Sequence, residues 1–145
     1  MEPKIIKGNR IFDNRGSLIF NNNLDFKEIK RFYIVHNYSK NFIRAWHGHL
    51  IEEKYIKCLS GTFQVSAVKI GNIKKPNKKN KIFNYFLNET NDDFIHIPKG
   101  YANGSMSLEE NSKLLILSTL TVRQSEKDDY RFDSRYWNPW KINER

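Results

Sequence analysis

The residues best placed to do chemistry lie in FIRAWHGHLIEEKYIKCLSG, from Phe42 to Gly61, where His47 and His49 are separated by one residue. In an extended chain both imidazoles share a face. The stretch that follows sets Lys54, Ile56 and Cys58 on one side and Tyr55, Lys57 and Leu59 on the other. The apolar company of Lys54 predicts that it points inward. An imidazole titrates near neutral pH and can take a proton, and an ammonium opposite it can hold a developing oxyanion. That pairing suits proton removal from a carbon beside a ketone. A positioned base contributes ~10²–10⁴-fold, and a preorganised donor about 10²–10³-fold more. The competing use of paired histidines is metal binding, but two imidazoles without a carboxylate or thiolate rarely hold zinc or iron, and Lys54 would repel a cation. No metal and no organic cofactor are expected. His36 and His96 lack such company and read as structural, and Cys58, the single cysteine, reads as a buried thiol.

These residues need a rigid frame. Turn residues recur at short intervals: Asn14-Arg15-Gly16, Asn21 to Asn23, Gly48, Gly61, Gly71-Asn72, Pro98 to Gly100 and Asn103-Gly104. Between them, aromatic and β-branched stretches predict strands over 29–36, 55–59, 62–70, 82–87, 94–97 and 114–122. The longest helix candidate, 23–30, has at most two turns. The fold class is therefore all-β, an antiparallel double-sheet barrel of the jelly-roll kind, in one domain over 1–145.

The net charge of +9 and pI near 9.6 point to an anionic partner. Much of the excess lies in KKPNKKNK, Lys74 to Lys81, which reads as a solvated loop. Charge alone does not choose between nucleic acid, an acidic membrane surface and a phosphorylated small molecule, and strand Phe and Tyr residues could stack bases. No apolar run reaches the length of a membrane span and Met1 to Gly8 has no signal-peptide character, so neither membrane nor secretion is expected and the reading is cytoplasmic.

The segment from His47 to Gly61 resembles the first cupin signature, with Lys54 where metal-binding cupins carry glutamate. PKGYAN, Pro98 to Asn103, resembles the second, with Asn103 at the position of the last histidine. Further motifs are FDNRGS (Phe12 to Ser17), IRAWH (Ile43 to His47), IKRFYI (Ile29 to Ile34), IPKGYANGSMSL (Ile97 to Leu108) and DDYRFD (Asp128 to Asp133). In this order they are similar to the RmlC-like cupin enzymes of deoxysugar synthesis, the 3,5-epimerases and 3,4-ketoisomerases of dTDP-4-keto-6-deoxyhexoses. The resemblance implies a double-stranded β-helix. It makes His47 the base, Lys54 the active-site lysine, and Arg15 and Arg44 the phosphate-binding arginines. Tyr33 and His49 match ketoisomerase positions, Asn103 and Tyr101 join the substrate-binding set, and Tyr33 or Tyr101 could return a proton.

Two features depart from the epimerases. No tyrosine occupies TLTVRQ, Thr119 to Gln124, and the C-terminal region that supplies the epimerases' histidine-orienting carboxylate is longer than the one here. The sequence reading ranks an epimerase acting at C3, with C5 as a further centre, ahead of a 3,4-ketoisomerase and of a non-catalytic sugar-binding cupin. It also implies a homodimer whose first strands cross to the partner, in a pathway to surface polysaccharide.

Overall fold

A computed structural model describes residues 1–141. Twelve strands and one short helix follow in order: β1 (Lys4–Ile6), β2 (Asn9–Asp13), β3 (Gly16–Phe20), β4 (Arg31–Asn37), β5 (Ile43–His49), β6 (Lys54–Ser60), β7 (Thr62–Lys69), β8 (Ile82–Asn88), β9 (Phe94–Ile97), β10 (Tyr101–Ser107), β11 (Ser112–Ser118), α1 (Val122–Glu126) and β12 (Tyr130–Arg131). One sheet has the order β1-β9-β6-β11-β4 and a second the order β12-β5-β10-β7-β8, all pairs antiparallel, while β2 and β3 form a separate hairpin. The antiparallel double-sheet barrel expected from the sequence is present.

The inner faces of the two sheets meet in a core built from Ile56, Cys58, Phe63, Val65, Ile95 and Leu114. Burying such side chains is worth about 1.5–3 kcal/mol each, and the period-two alternation of each strand makes it possible. Burial also raises the Cys58 thiol to about 11, as expected for an inert cysteine. The outer face of the second sheet is sealed by Trp137 and Trp140, which pack on Trp46, Val68 and Met106. Gly48 serves that seal: a Cβ there would lie 3.0 Å from Phe132 and 3.1 Å from the Tyr130 carbonyl. The residue between the two histidines faces outward, and only glycine lets β12 approach. Gly61, at φ +71°, closes the β6–β7 hairpin in a conformation that glycine adopts freely.

Several sequence expectations are corrected. Residues 23–30 form turns instead of a helix, with Asp25 Oδ1 accepting from the Lys27 amide and Leu24 buried as an anchor. The strand expected over 114–122 ends at Ser118, because Thr121 and Gln124 form a capping box that starts α1. Gly48 and Asn103-Gly104 are not turns but lie within β5 and β10, with a register shift between Asn103 and Ser105. The 74–81 loop is tied at its backbone by Tyr136 Oη, which donates to the Pro76 carbonyl, and by Trp137 Nε1, which donates to that of Asn77 at 3.0 Å.

Candidate active site

The cleft between the two sheets has a volume of about 280 Å³, near the lower end for small-molecule sites. β5 presents His47 and His49 on one wall. β6 presents Lys54 from the other, in register with Ser118 of β11, which is itself in register with Arg31 of β4. Tyr33 and Arg44 also line the cleft, as does Asn103, which faces His47 across β10 and β5. Six of the eight site residues expected from the sequence therefore meet in one place.

Arg15 and Tyr101 do not join them. Arg15 lies at the tip of the β2–β3 hairpin, its side chain 86% exposed and paired with Asp13 at 2.6 Å. Tyr101 is opposite His49 in register, but its ring belongs to the core and sits 6.2 Å from Phe83, beside a separate hollow with Glu2 and Lys69. Tyr101 therefore stands outside the cleft, with its ring in the core.

His49 is the more constrained of the two histidines. Its Nδ1 lies 2.6 Å from the Asp128 carbonyl oxygen and 3.1 Å from Glu52 Oε2. Both neighbours are acceptors, so Nδ1 carries the proton and Nε2 holds a lone pair. That Nε2 is buried and has no hydrogen-bond partner. Burial pushes the His49 pKa down, Lys54 adds to this, and the Asp128 contact and Glu52 oppose it. His47 is pushed to about 4 by burial and then by Lys54. Both rings are neutral near pH 7 and available as bases.

Lys54 is buried, and burial lowers it to about 8, with Glu52 opposing the shift. It enters none of the ion pairs among the described residues. A buried ammonium facing a cleft is a preorganised partner for an oxyanion. Burial pushes the Tyr33 phenol up to about 12, and Glu52 contributes, so the hydroxyl stays protonated. The Arg31 guanidinium lies 4.9 Å from the centre of that ring. Asn103 Nδ2 donates to the His47 carbonyl at 3.2 Å, and Arg44 Nε donates to Asn37 Oδ1 at 2.7 Å.

The sequence reading missed the groups that hold this geometry. Asp128, far along the chain, accepts with its carboxylate from the amides of Leu50, Ile51 and Glu52 at 2.8, 3.0 and 2.7 Å, while its carbonyl orients His49. Arg131 lies opposite His47 on β12, at the mouth of the cleft. Asp128 and Arg131 both fall in the DDYRFD motif, which marked the segment without revealing what it touches. Among the described residues, no group of three or more His, Cys, Asp or Glu side chains is placed to hold a metal ion. No helix of the described residues is long and apolar enough to cross a membrane.

The two antiparallel sheets and the cleft between them define the fold as that of the RmlC-like cupins. The chain belongs to the FdtA family, described as WxcM-like, C-terminal, whose pattern matches residues 1–139. A TDP-4-oxo-6-deoxy-alpha-D-glucose-3,4-oxoisomerase of Aneurinibacillus thermoaerophilus is 37% identical over 68 residues, 45% of this chain and 48% of the relative. The match thus spans about half the length of that relative. Among solved structures, the dTDP-4-dehydrorhamnose 3,5-epimerase of Bacillus anthracis superposes with a TM-score of 0.78 at 17% identity, covering 98% of this chain and 86% of that one. The TDP-quinovose 3,4-ketoisomerase of Campylobacter jejuni superposes with a TM-score of 0.69 at 25% identity, covering 92% and 95%. Both likenesses bear on the fold.

Proposed function

We propose that this protein is a 3,4-ketoisomerase of a nucleotide-linked 4-keto-6-deoxyhexose. The observation that carries the reading is the buried, unpartnered lone pair of His49 Nε2 in one cleft with the unpaired ammonium of Lys54. The name of the 37% identical relative favours ketoisomerisation over the epimerisation that the sequence ranked first. In this reading His49 Nε2 takes the proton from C3, and the electrons pass to O4, whose negative charge Lys54 stabilises. Lys54, lowered by burial to about 8, protonates O4 and receives the proton from O3. The His49 imidazolium then delivers a proton to C4. The net change moves hydrogen from C3 to C4 and the carbonyl from C4 to C3, so no outside oxidant is needed.

The cleft suits a hexose, with the diphosphate lying toward Arg44 and Arg131. Guanidinium groups match that role through paired donors. Arg15 would serve the same anion only from a second copy. The β2–β3 hairpin exposes Ile11, Phe12, Leu18 and Ile19, apolar surface that a homodimer would cover. Sedimentation showing a stable monomer would remove Arg15 from the site. A single-centre epimerase is the second reading, favoured by Tyr33, which faces the histidines from the opposite sheet with its phenol protonated.

Proton NMR of dTDP-4-keto-6-deoxyglucose with the protein in D₂O separates the readings. A 3-keto product with deuterium at C4 supports the ketoisomerase. A retained 4-ketone with inverted C3 supports the epimerase, and unchanged substrate a binding protein.

A further inference from the structure

We propose that Glu52 is a positioning residue for His49: its carboxylate holds the Nδ1 proton and stabilises the charge that forms on the ring when Nε2 takes a proton. The inference rests on the reading of His49 as the base.

Glu52 is fully buried at its side chain, in the turn between β5 and β6. One oxygen, Oε2, lies 3.1 Å from His49 Nδ1 and accepts from Ser125 Oγ at 3.3 Å. The other, Oε1, accepts from Ser118 Oγ and from Arg31 Nη2, the latter at 3.2 Å. Arg31 also donates to the Leu120 carbonyl at 3.0 Å, which locks the guanidinium in place. A buried carboxylate is costly unless paired and hydrogen-bonded. Here every lone-pair direction but the one toward His49 is spoken for by β4, β11 and α1. The backbone is equally fixed, since the Glu52 amide donates to Asp128 Oδ2 at 2.7 Å. Asp128 and Glu52 therefore act on His49 in different ways. The Asp128 carbonyl sets the tautomer, whereas Glu52 alone brings negative charge to within hydrogen-bond distance of the ring. A neutral carbonyl orients an imidazole, but an anion also favours the imidazolium formed in the reaction.

The charged and titratable groups facing His49 are Lys54 from β6, His47 from its own strand, Glu52 from the turn, and Asp128, Asp129 and Arg131 from the segment after α1. Only Glu52 combines a negative charge with direct approach to Nδ1. Removing that charge makes His49 the weaker base.

The test compares Glu52→Gln and Glu52→Asp with the wild type. Glu52→Gln is expected to lower kcat about 10–10³-fold with KM within threefold, and to move the acid limb of kcat/KM to lower pH. Glu52→Asp, which keeps the charge, restores part of kcat and returns the limb toward wild type. A merely structural role would lower the melting temperature without moving the limb. If Glu52→Gln does not fold, ring-¹⁵N NMR titration of wild type and Glu52→Asp decides: drawing the carboxylate back from Nδ1 should lower the His49 pKa, and an unmoved pKa overturns the proposal. Wild-type kcat and an unmoved limb in folded Glu52→Gln would also overturn it. His49→Asn distinguishes the two levels: retained turnover there defeats the base itself, whereas lost turnover beside a wild-type Glu52→Gln defeats only the positioning role.

Discussion

Two buried histidines each face a glutamate from the same short turn, and they behave differently. His49 shares its Nδ1 between Glu52 and the Asp128 carbonyl, whereas His96 binds Glu53 Oε1 at 2.6 Å through Nε2 and stacks on Tyr55 with ring centres 4.7 Å apart. Each ring keeps one buried nitrogen without a partner, Nε2 in His49 and Nδ1 in His96. The two pairs are chemically alike. Their surroundings are not: His49 lines the cleft opposite Lys54, while His96 lies in register with Tyr55 and Lys4 on the other face of the first sheet. Glu53 is 27% exposed at its side chain and Glu52 not at all. An acid beside an imidazole therefore does not define a site. What sets His49 apart is that it lines a cleft shared with the unpaired Lys54.

The largest effect that would break this contrast is expected from His49→Asn. Asparagine keeps a polar side chain but cannot take the proton, so turnover should fall by at least about 10²–10⁴-fold, the contribution of a positioned base. Loss of C3 exchange in D₂O checks this, and exchange that survives would pass the role to His47. Lys54→Met comes next. Loss of the oxyanion partner should cost about 10²–10³-fold in kcat, read by steady-state kinetics, while relief of a buried charge should leave the protein equally or more stable, read by thermal unfolding.

The same lysine makes a pH prediction. Its pKa is about 8 in the folded protein and 10.5 in the ordinary case, so between these values the unfolded chain binds more protons. Stability from this group therefore rises as pH climbs from about 8 to 10.5. Urea titrations across that window should show the rise in the wild type and its absence in Lys54→Met, while kcat/KM declines above pH 8 as the ammonium is lost.

How much of this was legible in the sequence depends on range. The His47 and His49 pair and the inward Lys54 follow from strand periodicity, a property of neighbours in the chain, and the structure places all three in one cleft. The barrel itself followed from the spacing of turns. Glu52 was hidden because it lies in a turn where no periodicity assigns a face, and Asp128 because its role depends on a contact across 79 positions. The short helix candidate over 23–30 did not form for the opposite reason: Leu24 docks beside Phe94 and Leu117 on the outer face of the first sheet, and tertiary packing overrode a weak local preference. Tyr101 shared a motif with Asn103 and alternates correctly with it, yet period two cannot say which end of the barrel interior opens to substrate.

The smallest expected effect on turnover is that of His96→Asn, and it sharpens the contrast most. The ring lies outside the cleft, so kcat and KM should stay within about threefold of wild type. Stability should fall, because the amide is too short to reproduce both the Glu53 contact and the stacking on Tyr55. A lost hydrogen bond to a charged group is worth about 1.5–3 kcal/mol. The loss should lie at or below the lower end of that range, since Glu53 is partly exposed and can hydrate when its partner goes. Denaturant unfolding measures the stability change and steady-state kinetics the activity. A drop in kcat comparable to that of His49→Asn would mean that the two histidine–glutamate pairs are coupled through the β5–β6 turn that carries both acids. Activity would then depend on the stiffness of that turn, and the cleft cation would no longer be what separates a working histidine from a structural one.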